Sequence, residues 1–136
     1  MKLQPVYLAI IAVSTLVFFT YSSAFSMDTP GFVINRMVVC EKITDREPVA
    51  ISNTFSSDTE RIYCFLEAAD IAQDTPITFI WYFEKKEMAR VSLPLVKGRR
   101  WRTYSSKKLA GLKGNWQVEL RGSSGAVLNT ISFKVQ

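Results

Sequence analysis

The chain has 136 residues, with 17 Lys and Arg against 12 Asp and Glu, for a formal net charge of +5. It contains no His, which removes the side chain that titrates near neutral pH and with it Ser/His triads and imidazole metal ligands. Its two cysteines, Cys40 and Cys64, form neither a CxxC nor a zinc-type spacing, so no redox dithiol, covalent haem or zinc cluster is indicated, and neither cofactor nor metal is expected.

Residues 1–26, MKLQPVYLAIIAVSTLVFFTYSSAFS, place one cation at Lys2 before an apolar run from Val6 to Phe19, followed by small residues. This pattern reads as a cleavable export signal, with Ser22/Ala24 or Ala24/Ser26 as the cleavage pattern. The competing reading is an uncleaved anchor helix, because no charge falls between Lys2 and Asp28 and a bilayer needs about 20 residues. Under either reading Lys2 stays inside and residues 27–136, a single domain, lie outside the cytoplasm, in a periplasmic or comparable space.

From Arg36 onward, β-branched and aromatic runs recur between turn residues with a period of two, as strands require. Runs at 34–42, 61–67, 77–84, 89–96, 100–105, 115–121 and 126–135 predict an all-β antiparallel sandwich of seven or eight strands, immunoglobulin-like in general architecture. DREP, SSD, AQDTP, KG and GSSG supply turns, and EKKE suits a hairpin. Pro94, which lacks a ladder donor, belongs on an edge strand or bulge. In ITFIWYFE, Ile77, Phe79, Trp81 and Phe83 share one face. An antibody-type topology would set the core Trp between the two cysteines in sequence, whereas Trp81 follows both. KKLAGLKG, residues 107–114, is the one stretch suited to a helical turn, and its glycines argue against a long helix.

Charge divides along the chain. Residues 27–84 hold ten carboxylates and four cations, and residues 85–136 hold twelve cations and two carboxylates. RRWRTYSSKKL, residues 99–109, concentrates the excess in Arg99, Arg100, Arg102, Lys107 and Lys108 beside Tyr104. Alternation sends Arg100, Arg102 and Tyr104 to one face and Trp101, as a core residue, to the other. Either distant acids neutralise these cations, or they form a basic face that docks an anionic lipid, glycan or acidic envelope protein. Nucleic acid is not expected as a partner of an exported chain.

Three smaller features bear on chemistry. Ser105 and Lys108 fit a Ser-x-x-Lys spacing, but the companion motifs of penicillin-recognising enzymes are missing. Asp45 and Glu47 offer a carboxylate pair, although a turn fixed by Pro48, with Asp45 bonding its own backbone, suits DREP better. Cys40 shares its alternation phase with Ile34 and Val38, and Cys64 with Ile62 and Leu66. Both are therefore expected to point inward and, in an oxidising compartment, to join as a disulfide; two buried free thiols are the alternative. No catalytic residue is assigned.

The succession CEKITDREPV, RIYCF, WYFEKKEMARVSLPL, WRTYSSK and GNWQVELRGSSGAVL resembles the DUF2914 family of bacterial proteins, over residues 37–135. The resemblance implies a small, largely β domain with no assigned activity. In place of the His that relatives often carry before the central Trp, this chain has Ile80. The combined expectation is an exported or membrane-tethered, non-catalytic interaction or accessory module of the cell envelope. Its rivals are a structural subunit of a larger envelope complex and an enzyme using carboxylates or Ser/Lys chemistry.

Overall fold

The structure, a computed structural model, describes residues 30–136. The expected signal or anchor lies outside the described residues, among which no helix is long and apolar enough to cross a membrane. The described residues form nine strands: β1 (Val33–Thr44), β2 (Glu47–Ile51), β3 (Thr54–Phe55), β4 (Arg61–Ile71), β5 (Thr75–Phe83), β6 (Lys86–Leu95), β7 (Gly98–Lys108), β8 (Gly114–Arg121) and β9 (Val127–Val135). A four-stranded sheet in the order β2-β1-β4-β7 faces a five-stranded sheet in the order β3-β9-β8-β5-β6. All pairs are antiparallel except β3 with β9, so the second sheet is mixed.

The seven expected strands are present, and β2 and β3 are additional. DREP is not a Pro-fixed turn: Asp45 and Arg46, at φ 51° and 62°, make a two-residue hairpin bend, and Glu47 and Pro48 already belong to β2. Glu84 and Lys85 turn the β5–β6 hairpin in the same way, with φ of 46° and 67°. Pro94 lies on β6, an edge strand, where its missing N–H costs no ladder bond. Residues 107–114 form no helix; β7 continues through Lys108 and a turn at Ala110 and Gly111 leads to β8.

Between the sheets, Ile77, Phe79 and Trp81 of β5 pack with Ile62, Cys64 and Leu66 of β4 and with Val118, Leu120 and Phe133. Trp116 stacks on Phe133 with centroids 5.9 Å apart, and Trp81 meets the same ring edge-on at 6.3 Å. One polar bond crosses this core. The Trp81 indole N–H donates to Ser105 Oγ at 2.9 Å, tying β5 to β7, and both side chains are buried. A buried N–H without a partner is costly, so this hydroxyl anchors the central Trp.

Candidate functional site

The outer face of the four-stranded sheet is built by register. Glu67 of β4 lies between Arg36 of β1 and Arg102 of β7, and Phe65 lies between Val38 and Tyr104. Glu47 pairs with Thr44 in the β1–β2 hairpin, eight residues beyond Arg36, a straight-strand separation of about 26 Å at roughly 3.3 Å per residue. Yet Glu47 Oε2 accepts a bond from Arg36 Nη2 at 2.9 Å. The hairpin therefore folds back across the sheet's outer face.

Four ions fasten it there. Glu47 bridges Arg36 at 2.9 Å and Arg102 Nη1 at 3.0 Å, while Glu67 accepts from Arg102 Nε at 2.8 Å and stands 3.9 Å from Arg36. The hydrogen bond from Arg102 holds the Glu67 carboxyl below the usual carboxylate range, with the nearby guanidinium charges acting in the same direction. Glu67 in turn raises Arg102. Beneath the hairpin, Phe65 is only 1% exposed although it points away from the core, and the Arg36 guanidinium sits 4.9 Å from its ring centroid.

Between the hairpin tip and β7 lies a groove of about 750 Å³, with Ile43 and Arg46 on one side, Phe65 on its floor and the run Arg100–Tyr104 on the other. Alternation turns Arg100, Arg102 and Tyr104 toward it. Tyr104 is 48% exposed and meets Tyr63 edge-on at 5.6 Å. Among the described residues neither Arg46 nor Arg100 has an ion-pair partner.

The expected basic face thus divides. Arg102 is neutralised by Glu47 and Glu67, so it is a clasp residue rather than a free cation. Arg99, Arg100 and Lys108 are exposed, and Lys107 is half-buried with its Nζ donating to the Lys108 carbonyl at 3.1 Å. Arg100 and Lys108 point outward with Ala69 and Arg61, whereas Lys107 shares the core-side phase of Ile62. Trp101 also takes the core-side phase, opposite Ala68, but is 37% exposed because, among the described residues, β7 has no neighbour on its far side. It is not a core residue.

Sequence reading missed Arg36 and Phe65, which strand pairing through β4 sets beside β7, and above all Ile43 and Arg46, which only the fold-back of the hairpin brings there. The one legible signal was the acidic first half of the chain facing a basic second half.

Ser105 and Lys108 do not form a catalytic pair. Being three apart on a strand, they point to opposite faces, and Ser105 is occupied by Trp81. Asp45 and Glu47 are likewise no acid/base pair, since Glu47 is held by two arginines. Both cysteines are buried but free. Register explains why: a shift between Ile34 and Arg36 puts Val39, not Cys40, opposite Cys64, and Cys40 opposite Tyr63 on the other face. The two side chains diverge across the sheet, which a disulfide does not tolerate. Burial raises both thiols, so neither is a ready thiolate. Among the described residues no group of three or more Cys, Asp or Glu side chains is placed to hold a metal ion.

A family model described as "Protein of unknown function (DUF2914)" matches residues 74–135. No curated protein matches the chain. Of solved structures, the C-terminal domain of wzt is similar at 7% identity, with a TM-score of 0.52 over 78% of this chain and 74% of that one. β-Glucosidase 3B from Thermotoga neapolitana, in complex with glycerol, is similar at 12% identity and a TM-score of 0.51 over 77% of this chain. This chain spans only 16% of that enzyme. At such identities the likeness concerns the fold alone.

Proposed function

We propose that the chain, which matches the DUF2914 family of unknown function over residues 74–135, is a non-catalytic interaction module, exported or membrane-tethered in the bacterial cell envelope, that docks an anionic partner through the β7 side of its four-stranded sheet. The observation that carries this reading is the pair Arg46 and Arg100, set across one groove beside the exposed Tyr104 and without ion-pair partners among the described residues. Guanidinium forks suit carboxylate and phosphate oxygens, and a neighbouring phenol adds contact area. Export rests on the apolar run Val6–Phe19 behind Lys2.

The strand order supports an immunoglobulin-like reading of the sandwich. β1, β4 and β7 stand as A, B and E, and β5, β6, β8 and β9 as C, C′, F and G, with the buried Trp81 on strand C. A structural subunit of a larger envelope assembly is the second reading, favoured by the open eleven-residue edge of β7.

The test compares wild type with Arg46→Ser combined with Arg100→Ser, in binding to polyglutamate and to phosphatidylglycerol vesicles. Wild type should bind at low salt and weaken toward physiological salt, where exposed charges are screened over about 8 Å, and the double variant should lose most of that binding while folding normally. Equal binding by the two proteins would remove the groove from the function.

A further inference from the structure

We infer that the β7 edge accepts an added strand from a partner, whose extended segment carries acidic residues at both ends of an apolar, β-branched stretch. The partner's sign rests on the basic-face reading above; the strand addition rests on the fold.

The two sheets end on four edge strands: β2, β7, β3 and β6. Three of them are blunted. β3 has two residues, β2 has five with Pro48 and a left-handed Ala50 at φ 59°, and β6 carries Pro94 and a register shift opposite Trp81 and Tyr82. β7 runs eleven residues without proline and holds unbroken register with β4 from Arg100 to Lys108. Its outer backbone groups are a template for strand pairing. In the immunoglobulin arrangement a strand D lies beside E, but here β6 passes into β7 through Val96 and Lys97 alone, so none of the described residues takes that place.

Side chains along the edge select the occupant. Trp101 points toward the sandwich but stays 37% exposed at the open margin, where an incoming apolar side chain would cover it. Arg99 and Arg100 stand at one end and Lys107 and Lys108 at the other, none in an ion pair among the described residues. A second copy fits badly. Antiparallel pairing of β7 with itself about Thr103 would set Arg99 opposite Lys107 twice, and like charges facing each other are destabilising. Acidic ends with a Val/Thr middle satisfy both features.

The experiment uses a capped peptide, Glu-Glu-Val-Thr-Val-Val-Thr-Val-Glu-Glu, and the same peptide with Lys replacing each Glu. The Glu-ended peptide should bind at least about tenfold more tightly than the Lys-ended one. Binding should slow hydrogen exchange at alternate β7 amides and shield Trp101 from a neutral fluorescence quencher. Arg100→Glu combined with Lys108→Glu should transfer the preference to the Lys-ended peptide. Salt-sensitive binding without β7 amide protection would overturn strand addition and leave the basic face standing. Equal β7 protection by both peptides would keep the edge and overturn the acidic partner. Binding of polyglutamate but of neither peptide overturns strand addition alone, and a concentration-dependent dimer with β7 protected in the absence of peptide would overturn the choice of occupant.

Discussion

Replacing Ser105 by Ala should destabilise the fold markedly, although the change removes a single oxygen. The Trp81 indole N–H has one partner, Ser105 Oγ at 2.9 Å, and both residues are nearly inaccessible, at 0% and 4%. No buried side-chain nitrogen or oxygen among the described residues lacks a partner, so the variant would create an orphan in an otherwise satisfied core. An unsatisfied buried donor costs about 1–3 kcal/mol, and rearrangement of the large Trp81 ring, packed edge-on against Phe133, offers little relief. With a urea slope of about 1–3 kcal/mol/M for a domain of this size, the midpoint should fall by about 1 M. Urea unfolding followed by Trp fluorescence measures it. A double-mutant cycle with Trp81→Phe isolates the bond: the Phe change should cost about 1 kcal/mol less when Ser105 is already Ala. A Ser105→Ala change within about 0.5 kcal/mol of wild type, with no coupling to Trp81, would refute the argument that this bond ties the sheets.

Trp101→Ala should cost about 1 kcal/mol, whereas Trp116→Ala, in the core, should cost about 3–5 kcal/mol in the same urea assay. Glu67 is held below its unfolded pKa, so its contribution to stability is present above that unfolded value and is lost as pH falls through the lower folded value. Urea midpoints measured down the acid range should show that loss in wild type and a weaker pH dependence in Glu67→Gln. Without reductant, alkylation followed by mass spectrometry should label both Cys40 and Cys64 in the unfolded chain and neither in the native one.

Local pattern determined much of this protein. Alternation located seven strands, set Ile77, Phe79, Trp81 and Phe83 on one face and set Arg100, Arg102 and Tyr104 on the face opposite Trp101, because a pleated strand has a fixed period of two whatever it packs against, and the missing donor of Pro94 marked an edge strand or bulge. The same period misplaced Cys40, since one irregularity between Ile34 and Arg36 inverts every face that follows it, and such a shift leaves no mark in composition. It also made Trp101 a core residue, because phase tells which way a side chain points but not whether another strand stands beside it. Tertiary structure decided the rest. Glu47 neutralises Arg102 and Arg46 joins Arg100 only because the β1–β2 hairpin turns back across the sheet. That meeting brings together residues more than fifty positions apart, through a bend that covers Phe65 and is fastened by the four-ion clasp.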